Sequence, residues 1–179
     1  MVPRYQSTKS YGHDIGLSCC FRQWRAQSHC KFLHGYALAV SFKFEALALD
    51  TRNWVVDFGS LKSLKGWLQD TFDHKLLVAE DDPALQEMMA LAALGAADVV
   101  VVPACGCEKF AEMIYEAAEV WLSDNGYSPR CRLVSVEVRE HGANSAIYTK
   151  EPAYLTEHIE MGGDSQSSVA RLLAHQPNA

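Results

Sequence analysis

No stretch of this 179-residue chain is long and uncharged enough for a transmembrane helix, which needs about 20 predominantly apolar residues. The opening residues Met1–Ser10 lack the apolar core of a secretory signal, and the two absences predict a cytoplasmic protein without a membrane partner. Basic residues are few, 16 Lys and Arg against 22 Asp and Glu, and they are scattered. A nucleic-acid surface needs a basic stripe that neutralises phosphates, so nucleic acid is excluded as the main partner. No internal repeat is present. Nor is there a secreted disulfide framework, because Cys19, Cys20, Cys30, Cys105, Cys107 and Cys131 fall largely in adjacent or near-adjacent pairs. Two readings of these thiols remain: buried small hydrophobes, or one of them doing chemistry.

What is present is ordinary globular material, 49% hydrophobic and 21% charged, in a length that suits one domain with a full core. Ile15–Ala26 reads as a strand from its aromatic and β-branched content. Tyr36–Leu47 alternates more cleanly, with Leu38, Val40, Phe42 and Phe44 on one face and Ser41, Lys43 and Glu45 on the other. After a turn over Ala48–Asn53, Trp54–Phe58 reads as a short apolar strand end. Leu61, Leu64, Trp67, Leu68 and Phe72 recur at helical spacing behind Ser60, a candidate N-cap. A second helix spans roughly Pro83–Leu94, and Val99–Val102 is wholly apolar. The clearest helix is Glu108–Ser123, with Phe110, Ile114, Ala117, Ala118 and Trp121 on one stripe. Strands follow at Arg132–Arg139 and Ala146–Tyr148. This order predicts an α+β domain over residues 1–150, its helices covering one face of an antiparallel sheet. Residues 151–179 read as a flexible C-terminal extension with one weakly amphipathic stretch, Val169–His175.

Four segments carry candidate chemistry. Cys30 lies four residues before His34, and that pair suits a nucleophile, a base or a metal ligand, or simply an edge thiol and a satisfied histidine. Asp73-His74 follows the first helix, where a carboxylate can hold an imidazole tautomer for proton relay, or the His can merely complement the helix end. Gly106-Cys107-Glu108 opens the main helix, whose free N–H groups can bind an anion or a ring carbonyl. Glu140 ends a strand, placed either in solvent or to grip a guanidine-like ring edge with two hydrogen bonds.

The order and spacing of these segments resemble the 6-pyruvoyl-tetrahydropterin synthase / 6-carboxytetrahydropterin synthase family. Cys30, His34 and Gly35 fit its Cys-x-x-x-His-Gly-His motif, Asp57-Phe58 and Leu61-Lys62 its next steps, and Asp73-His74 with Leu76-Leu77 its helix end. Gly106-Cys107-Glu108 stands at its later helix start, and Glu140 and Tyr148 match its last strand. The resemblance covers roughly residues 11–150.

It implies a tunnelling fold: a four-stranded antiparallel sheet with helices on one face, the subunits of a homo-oligomer (trimer, tetramer or hexamer) closing their sheets into a barrel. It implies active sites between subunits, with Cys30 and Glu140 drawn from different chains. Cys30 would be the catalytic base, Asp73 and His74 the pair that relays a second proton, and Glu140 the anchor of the pterin ring. Glu108, Cys107 and Gly106 would line the pocket. The implied substrate is 7,8-dihydroneopterin triphosphate, converted to the 6-carboxy compound on the way to 7-deazaguanine bases such as queuosine. The implied cofactor is zinc on three histidines. Only His34 matches, because the other two positions hold Phe21 and Tyr36. Cys19 or Cys20, with His34 and Tyr36 or His29, would have to rebuild a metal site. Otherwise the chain is a zinc-independent pterin enzyme, or a pterin- or purine-binding protein without lyase chemistry.

Overall fold

The computed structural model describes residues 3–150; the expected extension over 151–179, with Val169–His175, lies outside them. In chain order the elements are β1 (Tyr5–Tyr11), β2 (Leu17–Phe21), β3 (His34–Ala46), α1 (Lys62–Phe72), β4 (Lys75–Ala79), α2 (Leu85–Ala93), β5 (Asp98–Val102), α3 (Cys107–Asp124), β6 (Cys131–Arg139) and β7 (Ser145–Thr149). Single turns of 3₁₀-helix add His13–Ile15 and His29–Lys31.

The period-two pattern of β3 is a burial pattern: Leu38, Val40, Phe42 and Phe44 are all at most 1% exposed. Both edges of β3 are paired. On one edge β2 runs antiparallel to its first half and β1 to its second, with Gly16 at φ 79° turning the chain between them. On the other edge β6 is antiparallel to β3, and β7 to β6. Beyond β2 the sheet continues through β4 and β5, and both of those pairings are parallel.

The sheet therefore has seven strands among the described residues rather than the expected four, and it is mixed and open. Two strands escaped the sequence pattern. β1 (Tyr-Gln-Ser-Thr-Lys-Ser-Tyr) is mostly polar and exposed, and pairing with β3 rather than burial makes it a strand. β4 is short and apolar on both faces, a periodicity that no alternation reveals. The strand expected at Ile15–Ala26 ends at Phe21, and Trp54–Phe58 forms turns. Leu61, not Ser60, is the N-cap of α1; the Ser60 hydroxyl instead donates to the Asp57 carbonyl at 2.7 Å and lies 2.8 Å from the Tyr127 hydroxyl.

The helices do not share one face. α1 and α3 cover the side that carries Leu17, Phe21, Leu38 and Leu77, where Phe110 of α3 packs edge-on against Phe21 at 5.0 Å and Phe72 of α1 at 5.5 Å. Leu76 and Val78 alternate with Leu77 and form a second cluster with Met88 of α2. Successive strand residues point to opposite faces, so α2 lies on the other side of the sheet. The stripe of α3 is broader than expected: Ala111, Tyr115 and Leu122 join Phe110, Ile114, Ala118 and Trp121 in the core, while Ala117 is half-buried.

One charge is buried in the β1–β3–β6 region. Glu45 is 3% exposed and accepts from Arg132 Nη2 at 2.7 Å, Arg132 Nε at 3.0 Å and Gln6 Nε2 at 2.8 Å. Burial by itself would raise its pKa, but the bonds from Gln6 and Arg132 and the charges of Arg132 and Arg4 hold it below the usual 4.5. Removing one partner of such a group leaves an uncompensated carboxylate, so Arg132→Met is expected to cost about 2 kcal/mol in urea unfolding at pH 7. The folded pKa is depressed, so the network's contribution is complete above the unfolded value and lost as pH falls through the folded one. The stability gap between Arg132→Met and the parent should therefore shrink below pH 4.5; an undiminished gap at acid pH would reject the assignment.

Candidate active site

The register of β2 on β3 sets Phe21 opposite His34 and Cys19 opposite Tyr36. Their rings gather on the face under α3: Phe21–His34 centroids are 5.1 Å apart, Phe21–Tyr36 6.2 Å and His34–Tyr36 5.6 Å. Gly35 permits this approach. A Cβ there would stand 2.6 Å from the Cys19 carbonyl oxygen, a backbone atom that cannot swing aside.

On the other edge of β3, Arg139 pairs with Ala39, so Glu140 emerges from β6 beside the start of β3. The next residue, His141, brings its ring to 5.9 Å from that of Tyr36. α3 starts at the same place. Gly106, at φ 125°, caps it without any side-chain bond, and a Cβ there would meet Gln23 Nε2 at 2.6 Å. The Cys107 thiol lies within electrostatic reach of the Glu140 carboxylate. Burial first, then the charges of Glu140 and Glu108, push that thiol up to about 12.

Cys30 sits half-buried in the short turn His29–Lys31, where its N–H reaches the Ser28 hydroxyl at 3.3 Å and its carbonyl accepts from Gln23 N at 2.9 Å. The Tyr36 phenol is held above its usual range by burial, then by the charges of Glu140, Cys30 and Cys107. Tyr36 thus packs against the His34 ring and lies within electrostatic reach of Cys30, Cys107 and Glu140.

Asp73 and His74 form a hydrogen-bonded pair. His74 ends α1 in the left-handed region at φ 58°, its N–H bonded to the Ser18 carbonyl at 2.6 Å. A non-glycine residue held there carries a backbone cost of about 1 kcal/mol. Its Nδ1 donates to Asp73 Oδ1 at 2.8 Å, and the side chain is 87% exposed. It borders a cavity of about 490 Å³ with Ser18, Cys20, Gly35 and Ala37, and Tyr36 also reaches that cavity.

The residues do not fit the implied zinc. A catalytic zinc takes three protein ligands and keeps one position open. His34 donates from Nδ1 to the Phe32 carbonyl at 2.7 Å, which leaves Nε2 as an acceptor in the orientation a ligand would have. Phe21 has no donor atom, and Tyr36 fills the third position with a phenol. Cys19 stands opposite Tyr36 and is buried, but it completes no group of three metal-binding side chains among the described residues. Cys20 packs with the α2 cluster on the opposite face. Among the described residues no group of three His, Cys, Asp or Glu side chains is placed to hold a metal ion. Arg22 and Arg25, near enough in sequence to offer charge to an anionic substrate, are engaged instead. Arg22 grips buried Asp82 with two bonds, one of them 2.8 Å, and Arg25 pairs with Asp81.

Sequence reasoning missed two neighbours. Gln23 abuts Gly106 with no local signal to mark it, while His141 could have been suspected from its place directly after Glu140.

Comparison with known proteins gives a consistent picture. The family model described as 6-pyruvoyl tetrahydropterin synthase matches residues 13–151. A 6-carboxy-5,6,7,8-tetrahydropterin synthase of Aquifex aeolicus (strain VF5) is 25% identical over 139 residues, 76% of this chain and 85% of its own. Another, from Rickettsia bellii (strain RML369-C), is 39% identical over 57 residues, 31% of this chain and 41% of its own, so that match spans less than half of that relative. In fold, the chain is similar to the 6-pyruvoyl tetrahydropterin synthase of Plasmodium falciparum, with a TM-score of 0.62, 15% identity, and coverage of 83% of this chain and 99% of that one.

The contact between Gly35 and the Cys19 carbonyl generates a test. Gly35→Ala must push β2 away from β3 and is expected to cost about 2 kcal/mol in urea unfolding. Gly66→Ala, where a Cβ meets nothing within 4 Å, is the control and should be neutral or stabilising. Equal stability of the two variants would show that the strands tolerate a side chain at Gly35.

Proposed function

Because the chain belongs to the 6-pyruvoyl tetrahydropterin synthase family, we propose that it binds a pterin at Glu140 and acts as a lyase on the side chain of 7,8-dihydroneopterin triphosphate. The convergence of Cys30, Cys107 and Glu140 on Tyr36 carries this reading. The 2-amino group and N3–H of a pterin are two parallel donors, which a carboxylate accepts bidentately. The raised Cys107 thiol stays protonated beside Glu140 and adds no negative charge to that carboxylate. Amide N–H groups of the first turn of α3, free of side-chain caps, suit the neighbouring ring carbonyl.

Cys30 is the group positioned to take a proton at Sγ, as thiolate, from the side-chain carbon bearing a hydroxyl. Asp73 fixes the His74 tautomer so that Nε2 is the atom that exchanges the second proton. The His74 side chain of that pair is exposed. A homo-oligomer that closes its sheets into a barrel would deliver His74 of one subunit to the cleft of another, and it would cover the open sheet edges.

The names of the two curated relatives favour the 6-carboxy outcome. That conversion takes up one water, releases triphosphate and acetaldehyde, and leaves a carboxyl on C6. The ring gains the two electrons that the side chain loses. A product of that kind leads to 7-deazaguanine bases of the queuosine type. A second reading, a pterin- or purine-binding protein without lyase chemistry, is favoured by Phe21 and Tyr36 in two metal-ligand positions. No helix among the described residues is long and apolar enough to cross a membrane, and the proposed setting is the cytoplasm.

With 7,8-dihydroneopterin triphosphate, release of acetaldehyde is expected. Cys30→Ala should lower turnover by about 100-fold or more with ring affinity kept, and Glu140→Gln should weaken pterin binding by about tenfold or more. Binding without turnover would reject the lyase and keep the binding protein; loss of neither activity in the two variants would reject the site.

A further inference from the structure

Where three histidines would hold zinc, this chain assembles Phe21, His34 and Tyr36 within 6.2 Å of one another, centroid to centroid. These rings fill the space rather than leaving a defective metal centre. Phe21 is 0% exposed, packed edge-on against Phe110, and it offers no donor atom to a metal. Tyr36 is held on two sides, edge-on by His34 at 5.6 Å and by His141 at 5.9 Å. A ligand gripped by Glu140 and extending toward Cys30 passes Tyr36, which interacts with both. The donor and acceptor character of the two polar rings is also settled. His34 spends its Nδ1–H on the Phe32 carbonyl, so Nε2 accepts, while a phenol O–H donates.

We infer that Tyr36 and His34 together take the place of the metal: the Tyr36 O–H donates to one side-chain oxygen of the bound pterin and His34 Nε2 accepts from a neighbouring hydroxyl, without zinc. This rests on the pterin reading above. A vicinal diol needs one donor and one acceptor close together, and the two rings offer that pair. A fixed donor aimed at an oxygen that gains negative charge contributes about 100-fold to rate in other enzymes. It supplies less than a divalent ion, so a slower reaction than that of a zinc enzyme follows.

Two ligands separate this inference from the reading beneath it: neopterin, whose side chain carries hydroxyls, and 6-methylpterin, which has the same ring and none. Zinc is measured by elemental analysis in protein purified without added metal, and each ligand is then titrated by fluorescence after chelator treatment. The parent chain is expected to bind both without zinc and to prefer neopterin. Tyr36→Phe is expected to weaken neopterin binding by about tenfold, the loss of one hydrogen bond, with 6-methylpterin unchanged. That unchanged affinity doubles as the control for folding. His34→Gln, which keeps a polar side chain, should reduce the same preference. Near-stoichiometric zinc in the parent, or a neopterin preference that survives Tyr36→Phe, would overturn the inference while leaving ring binding intact. Failure of the parent to bind 6-methylpterin would remove the pterin reading, and the inference with it.

Discussion

The structure depends on β3 being hydrogen-bonded along both edges. One edge takes β2 and then β1, the other takes β6, and each register delivers a different part of the site. β2 sets Phe21 opposite His34, and β6 ends at Arg139 opposite Ala39, so that Glu140 and His141 turn in over Tyr36. A slip of one residue in either ladder would send these side chains to the opposite face. The alternation of Leu38, Val40, Phe42 and Phe44 forbids such a slip, because it would expose four nearly sealed apolar side chains, each worth about 1.5–3 kcal/mol of burial. The same pattern that makes the core therefore aims the site.

Two glycines and one histidine mark where the backbone departs from ordinary behaviour near the cleft. Gly35 lets β2 and β3 close around the rings, and Gly106 lets α3 begin against Gln23. His74 holds a left-handed conformation beside Asp73 without the glycine that such a position favours. The electrostatics are equally selective. Glu140 helps to keep the Cys107 thiol protonated, while the nearby arginines, Arg22 and Arg25, are tied to Asp82 and Asp81. The cleft thus presents carboxylate, thiol and phenol to a ligand, a set suited to a ring edge rich in N–H donors.

Much of this was legible in the chain. α3 was clear because a long amphipathic helix repeats its signal over 18 residues, and β3 was clear because strict alternation over many residues has few other causes. β1 was invisible, since a polar strand is made by its partner. β4 was hidden among apolar residues, and its parallel pairing could not be read at all. In the candidate site, Cys30, His34, Glu140 and the helix start at Gly106 were singled out by motif. The grouping around Tyr36 was not, since it depends on three elements meeting that lie far apart along the chain.

The sequence by itself determined the α+β class, the long central strand, the main helix, the membership implied by ordered motifs, and the absence of histidine at positions 21 and 36. These are local properties: periodicity, spacing and residue identity survive without knowledge of the fold. Tertiary structure decided the seven-stranded mixed sheet, the placement of α2 on the face opposite α1 and α3, and the meeting of His74 and Tyr36 at one cavity. It also decided that Phe21, His34 and Tyr36 close into one aromatic group. Such facts are set by the registers between strands and the faces on which side chains emerge, and a register is a relation between distant segments that neither segment encodes alone.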